Sequence, residues 1–458
     1  MANTYLSRAS YGTPTSTKIF TWSCWFKIGQ SQGKGRIFDF YAPPFVYGDG
    51  IFFTVGGELG ISGGDSNNAR RITSRVFRDP SAWYHVVGVF DSPNSVAEDR
   101  LRLYVNGVRE TSFSASVDMT QNQDYQAFRS DVGGIGTYYD KTTSSEFFDG
   151  SMAHIHFIDG TAYDADTFGE TDATTGIWKI KTSPSVTYGT NGFFILKDGN
   201  SVTDQSGNSN NFTVGGGTLT NTEDNPSNVF ATMNPLGNYV ATTTLSQGNN
   251  TVAMTNSKGG NLSTLGFNQG KYYAEMKIAT MPDSSRFHIG ILPQPITVAD
   301  DPIATGNDGI MLSGYNATIY ANSGSGLAIL NNFYGNATGR FSGNPILGLA
   351  IDLSSATKTM AISINGAWVT GSNTTDTDFA NALKVDITTP VARWNDWFMG
   401  CGSGNGTGTT GVYNWNFGNG YFGTTAVSSA GTNASGNGIF EYDVPTGYTA
   451  LSTKGLNL

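Results

Sequence analysis

The chain of 458 residues is poor in charge, cysteine and histidine, and each shortage excludes a class of protein. Charged residues make up 14%, against about 25% in an ordinary soluble domain. The two cysteines, Cys24 and Cys401, lie in different halves, so no disulfide framework is available. Four histidines offer few candidates for a catalytic or metal-binding imidazole. The chain therefore does not read as a disulfide scaffold or a histidine-based enzyme.

Long apolar runs and an excess of positive charge are also lacking. No run reaches the roughly 18 apolar residues of a membrane-spanning helix, and the polar start MANTYLSRASYGTPTST has no signal-peptide core. The net charge is −10, whereas nucleic-acid binding needs a basic stripe that displaces counterions. We therefore expect no membrane insertion and no nucleic-acid partner.

Turn-forming and strand-forming residues take the place of charge. Glycine alone accounts for 59 residues, and aromatic residues make up 12% of the chain. Glycine, asparagine and threonine disfavour long helices. Glycine and asparagine favour turns, while threonine and aromatic residues suit strands. The composition predicts an all-β protein with many turns.

The clearest pattern is a pair of strands that occurs once in each half. The first copy reads WYHVVGVFD and LRLYVNGV, and the second reads ILGLAIDL and MAISINGA. Leu101, Leu103 and Val105 alternate with polar residues, which predicts a strand with one buried face. Each second strand ends in Asn-Gly, a strong signal for a two-residue hairpin turn. The doublet predicts two tandem β-sandwiches.

The Asn- and Pro-rich stretch NTEDNPSNVFATMNPLG separates the halves. We place the boundary near residue 226. This gives a first domain at 1–225 and a second at 226–458.

Several motifs in each half are similar to those of known families. FTWSCWFK, WYHVVGVFD, LRLYVNG and DGSMAHIHFIDGTAYDAD resemble a LamG or concanavalin A-like lectin domain. GKYYAEMKI, HIGIL, ILGLAIDL, ISING, VYNWNFGNGYF and the closing YDVPTGYTALSTKGLNL resemble a SPRY domain. The resemblance implies two antiparallel jelly-roll sandwiches, concanavalin A-like and then SPRY-like.

The segments DQSGNSNNFTV and NPSNVFATMNPL, set between such domains, resemble structural proteins of marine tailed bacteriophages. That resemblance implies a non-enzymatic virion protein, such as a tail fibre, a capsid fibre or a decoration protein. It would be made in the host cytoplasm and exposed on the particle. Expected partners are other virion proteins, host-surface polysaccharide and further copies of the chain, with a homotrimer favoured. An architectural role without glycan binding, and a polysaccharide depolymerase, are the alternatives.

Aromatic residues in polar loops are the candidate ligand-binding residues, because a pyranose can stack on an exposed ring beside polar groups. Tyr138 and Tyr139 lie in GIGTYYDKTTSS, and Trp394 and Trp397 lie in PVARWNDWFMG. The alternative is that one residue of each pair, Trp397 in particular, belongs to the core.

Metal and catalytic signals are sparse. His154 and His156 stand two apart on a strand, but a metal site needs three or four ligands, so a polar sheet face is favoured and no metal ligand is assigned. The pairs Asp164–Asp166 and Asp376–Asp378 lack the glycine and glutamate of a helix–loop–helix calcium site. No cofactor is expected, although loop oxygens could hold one Ca²⁺. The paired carboxylates that a glycoside hydrolase needs are not found as a Glu-x-Asp-x-x-Glu run.

Overall fold

A computed structural model describes residues 3–8, 10–29, 34–40, 48–63, 68–127, 133–139, 144–197, 201–237, 243–254, 258–282, 285–294, 308–321, 328–330, 341, 343–371, 374–404 and 410–457. The chain divides into two compact units. The first comprises residues 1–221 and 225–227, and the second comprises 222–224 and 228–458.

Both units are built almost wholly of strands. In the first unit, β1 to β18 span, in order, Tyr5–Ser7, Ile19–Ile28, Gly35–Phe40, Asp49–Phe53, Glu58–Gly63, Ala69–Val76, Tyr84–Asp91, Leu101–Val105, Val108–Arg109, Phe113–Val117, Gly134–Ile135, Tyr138–Tyr139, Ser144–Ser145, Gly150–Asp159, Gly169–Thr171, Trp178–Ile180, Phe193–Ile195 and Thr213–Gly216.

The second unit continues in the same way. Its strands β19 to β36 span, in order, Thr243–Ser246, Thr251–Met254, Gly260–Phe267, Lys271–Thr280, Phe287–Pro293, Ile310–Ser313, Thr318–Ala321, Ala328–Leu330, Ile346–Asp352, Thr359–Ile364, Ala367–Val369, Thr375–Asp376, Val385–Asp386, Trp397–Ser403, Gly411–Asn416, Tyr421–Phe422, Thr425–Ala426 and Thr449–Ala450. A one-turn helix, α1, spans Thr388–Val391, and short 3₁₀ helices lie at Ala97–Asp99, Ala165–Thr167, Phe379–Asn381 and Gly455–Asn457. In the described residues, no helix is long and apolar enough to cross a membrane.

Each unit contains two large sheets. In the first unit an eight-stranded sheet has the order β10-β6-β5-β4-β3-β11-β1-β18, and a six-stranded sheet has the order β17-β14-β2-β7-β8-β9. In the second unit a ten-stranded sheet follows the path β19-β20-β33-β22-β27-β28-β29-β30, with β31 and β36 beside it. Its partner is a six-stranded sheet, β21-β32-β23-β24-β25-β26. The predicted all-β class, with two antiparallel sandwiches, is confirmed.

The alternating strands place their apolar residues as predicted. Leu101, Leu103 and Val105 belong to the main core of the first unit, and Met360 and Ile362 belong to that of the second. Both Asn-Gly pairs have the positive φ angles of a tight hairpin turn: Asn106 48°, Gly107 80°, Asn365 49° and Gly366 82°. The predicted hairpins are confirmed.

The opposite face of these strands is buried as well, contrary to the expectation of one buried face. In the first unit Val87, Val89 and Tyr104 of the six-stranded sheet pack under Ala165 and Phe168. In the second unit Tyr273, Ala350 and Ala361 of the ten-stranded sheet pack in the same way, under Phe440, Val444 and Tyr448. An irregular third layer therefore covers one sheet in each unit. Alternation in a single strand carries no record of this layer, because the covering residues are distant in sequence.

The Asn-Gly turns connect this third layer to the sandwich. The N–H of His85 donates to Asn106 Oδ1 at 2.8 Å, and the N–H of Ile346 donates to Asn365 Oδ1 at 2.9 Å. A Cβ built on Gly107 would overlap the ring of Trp178, and one built on Gly366 would overlap the ring of Tyr442. The glycines are thus required twice, for the left-handed backbone and for the close approach of a covering aromatic ring.

Glu275, on β22 of the ten-stranded sheet, holds the segment that covers this sheet around Glu441 and Tyr442. Its side chain is fully buried and accepts hydrogen bonds from the backbone N–H groups of Glu441 and Tyr442, both at 2.9 Å. The amide of Asn416 and the hydroxyl of Tyr273 also donate to it, both at 3.2 Å. Burial raises the pKa of Glu275 to about 7, although these hydrogen bonds act to lower it.

We predict that Gly366→Ala destabilises the second unit more than Gly447→Ala. Both glycines are left-handed, with φ of 82° and 86°, but a Cβ at Gly447 would meet nothing within 4 Å. Gly447→Ala should cost roughly 1–2 kcal/mol for backbone strain, and Gly366→Ala should cost roughly 1–3 kcal/mol more for overlap. Urea unfolding of the full chain measures both. Equal losses, or no relief when Tyr442→Ala is added to Gly366→Ala, would refute the overlap.

Candidate functional site

The separate two-stranded sheet β12–β13 carries Tyr138 and lies beside β3 of the eight-stranded sheet. Tyr138 pairs with Ser145, and the Thr137 hydroxyl donates to Ser145 O at 2.9 Å. Tyr138 is half-buried. Tyr139 pairs with Ser144 through the backbone, but its side chain lies outside the described part of the structure. Of this predicted pair, Tyr138 is the ring that the structure places.

Arg36 lies beside Tyr138, and further charged side chains contact Arg36 and its partner Glu146. The guanidinium of Arg36 lies 5.4 Å from the centre of the Tyr138 ring. Arg36 Nε is 2.8 Å from Glu146 Oε2, and Lys34 Nζ is 3.5 Å from Glu146 Oε1. The Lys34 side chain is 59% exposed, whereas Arg36 is 16% exposed. A ring beside fixed charged groups is suited to bind a sugar, with stacking on the ring and hydrogen bonds to the neighbours. We call Tyr138, Arg36, Lys34 and Glu146 the Tyr138 patch.

Arg36 is held in this patch by a second carboxylate. Arg36 Nη1 lies 2.8 Å from Asp39 Oδ2, and Asp39 is fully buried. Burial raises the pKa of Asp39 to about 7, while the charge of Arg36 opposes that rise. The guanidinium is therefore fixed in one orientation by two carboxylates.

Trp394 forms a separate site in the second unit, just after α1. Its indole Nε1 donates to Asp308 Oδ2 at 3.0 Å, and Arg393 Nη1 lies 2.7 Å from Asp308 Oδ1. Trp394 is half-buried against the core, and Asn395 and Asp396 beside it are exposed. This arrangement also places an aromatic ring among polar groups.

Trp397 lies in the core, which is the alternative that the sequence left open for it. It is 1% exposed, and its Nε1 donates to Val391 O at 3.1 Å. Its ring has no face for a ligand, so the assignment of Trp397 as a ligand-binding residue is corrected.

Sequence reasoning missed the partners of these rings. Arg36 and Glu146 are 110 positions apart, and Asp308 and Trp394 are 86 apart. No local motif marks such pairs, because antiparallel pairing of distant strands brings them together. Neither Arg36, within β3, nor Asp308, just before β24, marks a binding site in the sequence.

The histidines are buried, and the polar sheet face expected for them is wrong. His85, His154 and His156 are at most 2% exposed, and a β-bulge lies between Ala153 and His156. His156 stacks on Phe194 with ring centres 4.0 Å apart. The covering layer of the first unit explains this burial.

His85 is hydrogen-bonded through both ring nitrogens. Its Nε2 is 2.8 Å from Ser23 Oγ, and the indole Nε1 of Trp178 donates to its Nδ1 at 3.1 Å. Since an indole N–H only donates, Nδ1 accepts and Nε2 carries the proton of the neutral ring. Burial, together with a smaller effect of the nearby His154, lowers the pKa of His85 to about 3. Burial also lowers the pKa of His156.

The candidate calcium ligands serve as hydrogen-bond acceptors within their loops. Asp164 Oδ1 accepts from the Tyr104 hydroxyl at 2.7 Å. Asp376 accepts from the N–H of Asp378, which in turn accepts from the N–H of Ala380. In the part of the chain that the structure describes, no group of three or more His, Cys, Asp or Glu side chains is placed to hold a metal ion. Calcium binding by dispersed loop oxygens stays a prediction.

The first unit matches a known family. Residues 2–166 match Laminin_G_3, described as the Concanavalin A-like lectin/glucanases superfamily. This confirms the LamG and concanavalin A-like resemblance of the first half. No curated protein matches the chain.

Several solved structures are similar at low identity. The SPRY domain of human HERC1 is 11% identical, with 40% of this chain and 96% of that chain covered and a TM-score of 0.28. A putative carbohydrate binding protein from Bacteroides ovatus is 18% identical, with 48% and 58% covered and a TM-score of 0.33. The LG1-3 region of the laminin alpha2 chain is 11% identical, with 90% and 60% covered and a TM-score of 0.31. SPRY and laminin LG domains thus both occur among the similar structures.

We predict that acid destabilises the first unit through its neutral histidines. The pKa of His85 falls from 6.5 to about 3 on folding, so the unfolded chain binds more protons between these values. The stability due to neutral His85 is present above pH 6.5 and is lost as the pH falls towards 3. Each such group contributes a slope of about 1.4 kcal/mol per pH unit.

Urea unfolding at pH 7.5, 6.5 and 5.5 measures this slope in the wild type and in His85→Gln, which does not titrate. We expect the free energy of unfolding to fall less steeply with decreasing pH in the variant, by a slope that corresponds to about one bound proton. Identical pH slopes in the two proteins would show that His85 is not the source.

Proposed function

We propose that the protein is a non-enzymatic, carbohydrate-binding structural protein of a bacteriophage particle, exposed on the virion and directed at host-surface glycan. The observation that carries the binding role is the Tyr138 patch. It combines a half-buried ring with the fixed charges of Arg36 and Glu146, and it lies in the segment that matches the Concanavalin A-like lectin/glucanases superfamily. Trp394, with Asp308 and Arg393, supports a further contact in the second unit.

The virion assignment is supported by the resemblance of DQSGNSNNFTV and NPSNVFATMNPL to segments of phage structural proteins. The first of these segments is held in place by its side chains. Asp204 accepts from the N–H groups of Phe194 and Asn210, both at 2.8 Å, and Asn210 donates to Gly192 O at 2.8 Å. Such a loop, held by short-range hydrogen bonds to one mostly buried carboxylate, suits a particle surface, because salt screens buried groups much less than exposed ones.

Weak single sites are sufficient if copies of the chain assemble. Linking several sites raises the overall affinity without new contacts, and closed symmetry is the usual form of such assembly. We take a homotrimer as the working state, with other virion proteins as its partners and no cofactor required. Sedimentation of the purified protein measures the copy number.

We predict that Tyr138→Ala weakens glycan binding about tenfold, or about 1.4 kcal/mol, whereas Tyr138→Phe retains it. The phenylalanine keeps the ring face on which a sugar stacks. Binding of the full chain to arrayed bacterial surface polysaccharides measures the effect. If no polysaccharide binds, the architectural role without adhesion is favoured instead. If Tyr138→Ala binds as tightly as the wild type, the Tyr138 patch is not the site.

Two further measurements separate the remaining alternatives. Mass spectrometry of purified phage particles should detect the chain, and its absence from particles would remove the virion assignment. A reducing-sugar assay on the bound polysaccharide should stay flat, whereas release of reducing ends would favour a depolymerase.

A further inference from the structure

Arg286 and Tyr315 lie together at one end of the six-stranded sheet of the second unit. Arg286 directly precedes β23, and Tyr315 lies in the turn between β24 and β25. Strand pairing brings them close, because His288 pairs with Ser313 and the N–H of Gly314 donates to Phe287 O at 2.9 Å. The guanidinium carbon of Arg286 lies 4.3 Å from the centre of the Tyr315 ring.

The backbone beneath this pair is fixed on both sides. The β24–β25 turn is closed by the pairing of Ser313 with Thr318, and the Asn316 amide donates to the Tyr320 hydroxyl at 2.6 Å. On the other side, the N–H of Gly404 donates to Arg286 O at 2.8 Å. Fixed backbone on both sides lowers the entropy cost of ordering the two side chains around a ligand.

The side chains of the pair reach the surface, where Tyr315 is exposed and Arg286 is half-buried. Tyr315 is 47% exposed and is thus one of the few large apolar side chains at the surface. Within the described residues, the guanidinium of Arg286 has the Tyr315 ring as its contact and no carboxylate within ion-pair distance. By contrast, the guanidinium groups of Arg36 and Arg393 each face a carboxylate at 2.8 Å or less. Among the described residues, therefore, no carboxylate occupies the hydrogen-bond donors of Arg286.

We propose that Arg286 and Tyr315 form a second saccharide-binding site, selective for acidic sugars that carry a carboxylate or a sulfate. A guanidinium stacked on an aromatic ring presents its N–H edge to an anion and can bind it in a bidentate manner. The exposed tyrosine ring supplies an apolar surface for the sugar beside that anion. The proposal rests on the proposed carbohydrate-binding function but assigns a different unit, different residues and a different class of sugar from the Tyr138 patch.

The net charge of the chain bears on the proposed preference for acidic sugars. The protein carries a net charge of −10, so its overall field repels an anionic polysaccharide. Binding of such a ligand therefore requires a local cation that no protein carboxylate neutralises. A neutral sugar would leave the guanidinium without a charged partner, whereas a uronate or a sulfate ester supplies one.

The test is isothermal titration calorimetry of the full chain with four probes. They are a galacturonic acid oligosaccharide, a sulfated galactan oligosaccharide, a neutral cello-oligosaccharide and poly-L-glutamate. We expect one or both acidic saccharides to bind more tightly than the neutral one, with an affinity that falls as salt rises. The two acidic probes distinguish a carboxylate from a sulfate, and poly-L-glutamate reports on charge alone.

Arg286→Gln should weaken binding of the acidic saccharide on the order of tenfold or more, because a charge-assisted hydrogen bond is lost. Arg286→Lys keeps the charge but not the planar donor edge, so its affinity for the acidic saccharide should lie between those of the wild type and Arg286→Gln. Tyr315→Ala should weaken binding too, whereas Tyr315→Phe should not. Arg75→Gln is the matched control, because Arg75 is 50% exposed but already paired with Glu110 and its loss changes the net charge equally.

The proposal is wrong if the wild type binds neither acidic saccharide, or if Arg286→Gln binds them as tightly as the wild type does. It is also wrong if Arg75→Gln loses as much affinity as Arg286→Gln, or if the wild type binds poly-L-glutamate as tightly as the acidic saccharides. The outcome is independent of the Tyr138 patch. If Tyr138→Ala still weakens glycan binding while Arg286→Gln has no effect, the proposed function stands and this inference alone fails.

Discussion

Burial of a second sheet face by an irregular segment is the constraint on which the rest of this protein depends. A covering segment without strands in that sheet has few backbone partners there, so its polar groups must find buried side chains. Glu275 supplies the acceptors in the second unit, and His85 receives the indole of the covering Trp178 in the first. Gly107 and Gly366 meet a related need, because a Cβ at either position would overlap the covering ring of Trp178 or Tyr442.

The same covering decides where a ligand can bind. In each unit one sheet buries residues on both of its faces, so that sheet offers little open surface to a ligand. Aromatic rings remain accessible at the ends of strands and in turns, as at Tyr138, Trp394 and Tyr315. Each of these rings lies beside an arginine or an acid that a distant segment contributes. Binding in this protein is therefore expected from loop ends placed on rigid scaffolds.

Local patterns in the sequence were sufficient to predict the strands and turns, but not the third layer that covers one sheet in each unit. Alternation placed Leu101, Leu103 and Val105 in the core, and Asn-Gly fixed the hairpins, because both depend on neighbouring residues alone. The burial of His156 and the pairing of Arg36 with Glu146 depend on contacts between remote segments. Trp394 and Trp397 show the limit most clearly. They are three positions apart in one polar stretch of sequence, but Trp394 is half-buried whereas Trp397, the first residue of β32, is 1% exposed. The surrounding composition does not distinguish them.

The hairpin β15–β16 of the first unit is attached to the sandwich at one end and exposed at the other. Trp178 holds the hairpin to the sandwich through His85, while its tip is closed by Asp172, which accepts from the N–H groups of Thr174 and Thr175 at 2.9 Å. The tip residues 173–177 are exposed and contribute nothing to either core cluster of this unit. An exposed hairpin tip of this kind tolerates added sequence. It is therefore the natural place in this molecule to insert and display a foreign peptide.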